Sequence, residues 1–366
     1  MKLLYIVNFH APMGGLHENV YSSALYMQKN KCEVYVVLKK GLLQQRMNDN
    51  GIKTIITDFS KLEDTMKSIE EIGVIFDLIH FHPGPSKYSA LEYSKKYHIP
   101  LIETYHGTWL DGLQKHIHHL SAIITVSDGI KKHLQNRISD YNEKYHVMPN
   151  GYDTNLFSHP SFYLKNSKEL NIALITRFDH DKQFIMDIML LAINHLKQKS
   201  EIKLNINIIG SGTHIDEFIR ISNTLIDPTF HTLNYEGWLV DQELKNAYLE
   251  NDIVIAPGRS AIEGMVSGKA VIAVGSKNYI GLIKEDNWQL GIHNNFGGAG
   301  NKFNDYAIGS IEKDLDHLLN NVDNIKYYGE FSYKVATEFF NADKINQNLL
   351  NLYNIILVGH KLNQNV

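Results

Sequence analysis

The stretch Asp252-Ile-Val-Ile-Ala-Pro-Gly-Arg-Ser-Ala-Ile-Glu-Gly-Met-Val-Ser-Gly-Lys-Ala-Val-Ile-Ala-Val-Gly275 reads as strand, tight turn, short helix and strand. Ile253 to Ala256 is a short apolar run suited to a buried strand, and Pro257-Gly258 breaks it. Ser260 is placed to cap the helix, with Glu263 at the capping-box spacing. Gly268 ends the helix, and Val271 to Val274 is a second buried strand. A glycine turn into a helix start offers backbone N–H groups and the positive end of the helix dipole to a phosphate. A carboxylate one turn inside that helix can accept from a ribose diol. Together they suggest a nucleotide diphosphate site; the plainer reading of Glu263 is a capping residue on an ordinary crossover.

Outward from this stretch, strand-like runs alternate with helix-like ones along the chain. The first series has Leu3–Val7, the loop Asn8–Gly15 with Gly14-Gly15, and a helix carrying Val20, Ala24 and Met27. Strand-like runs follow at Glu33–Leu38, Lys53–Thr57, Val74–Phe81, Leu101–Tyr105, Ala122–Val126 and Tyr145–Met148. Pro149-Asn-Gly-Tyr-Asp153 and the polar stretch through Ser167 read as a linker. A second series starts at Asn171–Thr176, with Arg177 and Lys182 in the turn after it. Leu204–Ile209 then leads into Gly210-Ser-Gly212, and Phe230–Tyr235 into Gly237-Trp238. Asp241–Glu250 reads as a helix capped by Asp241. After Gly275 the chain reads as irregular through Gly300, then as helices over Asn304–Asn321, Lys326–Phe340 and Ala342–Leu357. Repeated βα units predict doubly wound α/β domains with ligands at the strand ends.

The 366-residue length fits two domains: 1–165, 166–340, and a C-terminal helix over 341–366. A formal net charge of −4 gives no case for nucleic-acid binding. The single cysteine, Cys32, excludes an intramolecular disulfide and a zinc site built on several thiolates. No apolar run approaches the ~18 residues of a membrane span, so the expectation is a cytoplasmic protein. Lys39, Lys40, Lys95, Lys96, Lys131 and Lys132 suit either solvent or peripheral contact with an anionic membrane face. Among the 19 histidines, His80 and His82 share one strand face, and His116, His118 and His119 cluster. Neither group has a further ligand at metal spacing, so no metal is expected.

An ordered series of motifs resembles a GT-B glycosyltransferase, most closely glycosyltransferase family 4, the retaining nucleotide-sugar transferases. It comprises Gly14-Gly15, His80-Phe-His82, Glu103-Thr-Tyr-His106-Gly, Ile123-Ile-Thr-Val-Ser127, Pro149-Asn-Gly-Tyr-Asp153, Arg177 with Lys182, Ile209-Gly-Ser-Gly212, Tyr235-Glu-Gly-Trp238 and the Glu263 helix. The resemblance implies two doubly wound Rossmann-like domains facing across a cleft, the first for the acceptor and the second for a nucleotide sugar. It implies diphosphate binding by Arg177 and Lys182, ribose binding by Glu263, and backbone contacts from Ser260 and Ala261, with Gly14 and Gly15 approaching the same phosphates. Gly210, Gly212 and Leu239 would flank the base, and His106 would lie beside the donor sugar; Arg259, in a turn shorter than the family's, is expected to take over a donor-facing role apart from the resemblance. The resemblance implies no metal and no cofactor beyond the donor, probed first as UDP, with a glycan or lipid-linked hydroxyl as acceptor.

One departure bears on the outcome of the reaction. The family pattern usually carries two glutamates, the first eight residues before the second; Glu263 matches the second, and the position of the first is Ile255. The turn looks more like that of the inverting GlcNAc transferase that makes the peptidoglycan lipid precursor. Retention and inversion therefore both stay open, as do a nucleotide-sugar epimerase or phosphorylase of the same fold and a non-catalytic nucleotide-sugar-binding relative.

Overall fold

The computed structural model describes residues 1–9, 13–158, 160–162, 168–199, 201–297 and 306–364. The chain divides into two compact units, Met1–Gly151 with Ala342–Val366, and Tyr152–Asn341. Residues 163–167 of the linker, Gly298 and Gly300, and the start of the helix expected from Asn304 lie outside the described residues.

The first unit runs β1 (Lys2–Ile6), α1 (Gly15–Lys29), β2 (Glu33–Leu38), α2 (Leu42–Asp49), β3 (Lys53–Ile56), α3 (Leu62–Glu70), β4 (Leu78–Phe81), α4 (Ser86–Tyr97), β5 (Leu101–Tyr105), β6 (Ala122–Thr125), α5 (Asp128–Gln135) and β7 (Tyr145–Val147). Its seven-stranded sheet has the order β3-β2-β1-β4-β5-β6-β7 and is parallel throughout. The central strands are buried on both faces, as a parallel sheet covered by helices requires, with His80, Glu103 and Thr104 as polar residues among apolar ones. Val20, Ala24 and Met27 are the buried stripe of α1.

The second unit runs β8 (Glu169–Ile175), α6 (Gln183–Leu196), β9 (Lys203–Ile209), α7 (Ile215–Leu225), β10 (Thr232–Gly237), α8 (Asp241–Glu250), β11 (Ile253–Ala256), α9 (Gly258–Val266), β12 (Ala270–Val274), β13 (Tyr279–Leu282), α10 (Trp288–His293), α11 (Ser310–Leu319) and α12 (Asp323–Phe339). Its order is β10-β9-β8-β11-β12-β13, with only β13 antiparallel. Side chains alternate between two cores. Ile253 and Ile255 join Leu174 and Ile208 on one face, while Val254 and Ala256 join Ile175 and Ala261 on the other. The last helix, α13 (Ala342–Gln364), belongs to the first unit and packs on α1.

Several sequence expectations change. The stretch after Gly275 is not wholly irregular, because it forms β13 and α10. Tyr279 and Ile280 pack against the cores, and Asp314 Oδ2 accepts from Tyr279 Oη and Leu282 N. The residue before α8 is Val240, so Asp241 is the first helical residue and not the cap. β4 starts only at Leu78, four residues later than the apolar run begins.

Candidate functional site

In each sheet the strand order reverses between the first strand and the fourth. Ligands of doubly wound sheets bind outside the carboxyl ends at that point. In the second unit it falls between β8 and β11, whose following loops hold Arg177, Lys182 and the Pro257-Gly258 turn. In the first unit it falls between β1 and β4, followed by Asn8 and His82, with His106 after β5.

Arg177 and Lys182 converge on one carboxylate. Arg177 Nη2 lies 3.2 Å and Lys182 Nζ 2.8 Å from Asp181 Oδ2. Arg177 Nη1 also donates to Asp179 Oδ2 at 2.6 Å, and Lys182 Nζ to Ser276 Oγ at 2.8 Å, just after β12. Burial opposes ionisation of Asp181, but the bond from Lys182 and the charges of Lys182 and Arg177 hold its carboxyl below the usual range. Both cations remain partly exposed, at 28% and 21% of the side chain, so an anion can reach them.

Gly210 and Gly212 make this arrangement compact. A Cβ on Gly210 would stand 1.9 Å from Thr176 O, and one on Gly212 would stand 2.4 Å from the carbonyl of Phe178. The bonds Phe178 N to Ser211 O and His214 N to Phe178 O sew the β9–α7 turn onto the loop that bears Arg177. These glycines are required by backbone approach, whatever ligand they also meet.

The α9 helix is capped at Pro257, without a side-chain bond, so Ser260 is not the cap. It stands in the first turn, where amide groups have no acceptor inside the helix. Ala261 N donates to Pro257 O and its methyl lies in the core. The capping box is absent because Glu263 turns elsewhere. Its Oε1 accepts from Arg259 Nε at 2.7 Å, and Tyr248 Oη donates to Oε2 at 3.2 Å or to Ser260 O at 3.0 Å. Burial, then the Glu263 charge, push the Tyr248 phenol well up, so it stays a donor. Leu239 packs on the same core as Tyr248 and Ala261. Ile255 is wholly buried in β11 among Leu174 and Ile208. The position of the family's other glutamate is therefore a core position here.

In the first unit, His82 Nδ1 lies 3.1 Å from His106 Nε2. Burial, then the charge of neighbouring His17, push His106 down to about 3. His82 is also held well below its usual value, first by burial and then by His106, His80 and His17. Gly14 precedes α1 and Gly15 is its first residue; among the described residues a Cβ on Gly14 would touch only His17 Nδ1, at 4.0 Å. His80 and His82 do share a face, stacked at 5.2 Å, but His80 is committed to Tyr353 and Thr104. Among the described residues no three His, Cys, Asp or Glu side chains are placed to hold one metal ion, and no helix is long and apolar enough to cross a membrane.

Sequence reading missed Asp181, Ser276, Tyr248 and the His82–His106 bond. Asp181 sits visibly between Arg177 and Lys182 in the chain; the other three are brought in by tertiary contacts.

Comparisons with known proteins agree with this architecture. Residues 13–156 match the model of Glycosyltransferase Family 4. A curated protein in the cps region of Klebsiella pneumoniae is 31% identical over 112 residues, a match that spans 29% of this chain and only 28% of that protein's length. A glycosyltransferase from Rickettsia africae ESF-5 superimposes with a TM-score of 0.74 at 18% identity, covering 97% of this chain and 98% of its own. Anabaena HepE in complex with UDP and glucose superimposes with a TM-score of 0.70 at 16% identity, covering 96% and 98%. The chain has the GT-B fold and resembles the glycosyltransferases of family 4.

Proposed function

We propose that this protein is a glycosyltransferase that moves a sugar from a UDP-linked donor to a hydroxyl of a glycan or lipid-linked acceptor in cell-surface glycan synthesis. The observation that carries the reading is the Arg177–Asp181–Lys182 cluster at the end of β8, across the switch point from α9 and Glu263. Two fixed cations neutralise the charge that builds on a departing diphosphate. The first turn of α9, with Ser260, adds backbone donors to a phosphate. Glu263 turns to the ribose diol, and Arg259 faces the donor once its carboxylate partner is engaged. Arg177, Lys182 and the helix start do the work a metal would otherwise do. HepE, of the same fold, binds UDP and UDP-glucose.

In the first unit the acceptor is bound and His106 meets the transferred sugar. Retention is the favoured outcome: the acceptor hydroxyl attacks on the leaving-group face, and a phosphate oxygen takes its proton, so no protein nucleophile is needed. The buried Ile255 supports a second reading, nucleotide-sugar binding without transfer.

A thermal-shift screen against UDP, GDP, ADP, CDP and dTDP, with and without EDTA, tests the site. The expected result is a UDP-induced rise indifferent to EDTA and absent in Glu263→Ala. No rise with any nucleotide would overturn the site, and UDP binding without release of UDP from any UDP-sugar would favour the second reading.

A further inference from the structure

His82 follows β4 and His106 follows β5, neighbouring strands of the first unit. Their rings meet at 5.2 Å, tilted by 30°, through one bond of 3.1 Å between His82 Nδ1 and His106 Nε2. The two outer nitrogens, His82 Nε2 and His106 Nδ1, are buried and have no hydrogen-bond partner among the described residues.

Both rings are neutral at pH 7, since burial disfavours the charged forms. A neutral imidazole carries one proton, so the pair carries two. One occupies the shared bond. The other sits on the outer nitrogen of whichever ring accepts that bond. The two outer ends are therefore always opposite: when one donates, the other accepts.

The pair is braced. His80 stacks on His82 at 5.2 Å and 18°, and its own nitrogens are taken by Tyr353 Oη at 2.5 Å and Thr104 Oγ1 at 2.6 Å. The loops that follow the two strands are tied through Asp111, whose carboxylate accepts from Gly84 N and Lys87 Nζ, each at 2.6 Å. The His82 ring is almost wholly buried, at 1% exposed. A buried nitrogen without a partner costs free energy unless a ligand supplies one.

We propose that His82 is a positioning residue for His106: it occupies Nε2, so that His106 meets a sugar hydroxyl through Nδ1, with hydrogen-bonding character opposite to that of His82 Nε2. This rests on the reading of His106 as the residue beside the transferred sugar. A hydroxyl suits such a site because it both donates and accepts, and so matches either state of the pair.

Two variants separate positioning from packing. His82→Asn puts an amide near the place of Nδ1 and can restore the bond, whereas His82→Phe keeps the ring volume without it. The assay is UDP release from UDP-glucose, with kcat and KM, beside nitrogen-15 NMR of the histidine rings in the full chain at pH 7.5. His82→Phe is expected to lower kcat about tenfold, roughly the worth of one hydrogen bond. KM should stay within about twofold, and His82→Asn should recover most of the rate. In a His106→Ala background the His82 variants should make no further difference. The His106 Nε2 resonance should show a hydrogen-bonded nitrogen in the wild type and shift in His82→Phe. Equal losses in both His82 variants, tracking a lower melting temperature, would overturn the proposal in favour of packing. If His106→Ala is fully active, or UDP-glucose is not turned over, the functional reading of His106 or of the donor is what fails. The NMR comparison then still decides whether His82 holds His106 Nε2: unchanged His106 resonances in His82→Phe overturn that positioning, and shifted ones uphold it.

Discussion

Glu263 Oε1 accepts a 2.7 Å bond from Arg259 Nε, one helical turn back along α9. The carboxylate that the sequence offers to a ribose is therefore already engaged, by Arg259 on one oxygen and by Tyr248 on the other. Each oxygen keeps a further lone pair, so a ribose diol would share the carboxylate with these bonds or exchange with them.

That engagement gives two different outcomes for the two partners. Glu263→Gln should weaken UDP binding by about 10- to 100-fold, the worth of one or two hydrogen bonds to a charged group. Arg259→Ala should instead act mainly on stability. It leaves a carboxylate with 7% side-chain exposure without its cation, at a cost of about 3 kcal/mol. Calorimetric titration with UDP, beside melting curves of both variants, separates the effects.

The shared Asp181 predicts how the cation pair fails. Arg177→Ala should lower kcat about a hundredfold with less change in KM, because charge on the diphosphate grows in the transition state. Arg177→Lys should rescue only part of that. A single ammonium cannot copy the guanidinium fork that bonds Asp179 and Asp181 together. Steady-state kinetics of UDP release measure both.

Gly210→Ala should destabilise the second unit and displace Arg177. The new methyl would meet Thr176 O at 1.9 Å, and φ is +135°. Nothing but the backbone of the Arg177 loop can give way. A loss of soluble protein, or a melting temperature lowered by many degrees, is expected. Among the described residues Gly14→Ala meets only His17 Nδ1 at 4.0 Å and should melt like the wild type.

The buried imidazoles predict the acid limit of the first unit. His80 and His106 have folded values of about 3 against 6.5 for the free side chain, first through burial. Between those values the unfolded chain binds more protons, so stability rises with pH across the window and is lost as pH falls through it. Each ring adds about 1.4 kcal/mol per pH unit there. Urea denaturation at pH 7.5 and 5.0 should show a clear loss at the lower pH, and His106→Phe should shrink it.

Tyr353 should prove central to the first unit although it lies on the last helix. Its hydroxyl meets Tyr5 Oη at 2.8 Å and His80 Nδ1 at 2.5 Å, both buried. Tyr353→Phe removes the partner of two buried groups and should cost about 2 kcal/mol, read as a lower urea midpoint.

By itself the sequence determined the two α/β series, because strand hydrophobicity and glycine turns are local signals. Ile253 to Ala256 and Val271 to Val274 are buried as their apolar runs require, and Gly268 follows the end of α9. Arg177, Lys182, Glu263 and His106 were legible because they recur in an ordered motif series. What those residues bond was not legible. The Ser260–Glu263 spacing fits a capping box, yet Arg259 and Tyr248 outcompete the backbone for the carboxylate. β13 and α10 were hidden because their apolar residues are few and answer to Asp314 and the second core. Only the tertiary structure joined His82 to His106, 24 residues away, and His80 to Tyr353, 273 residues away. Hydrogen bonds between side chains on different strands depend on sheet order and register, which no local pattern encodes.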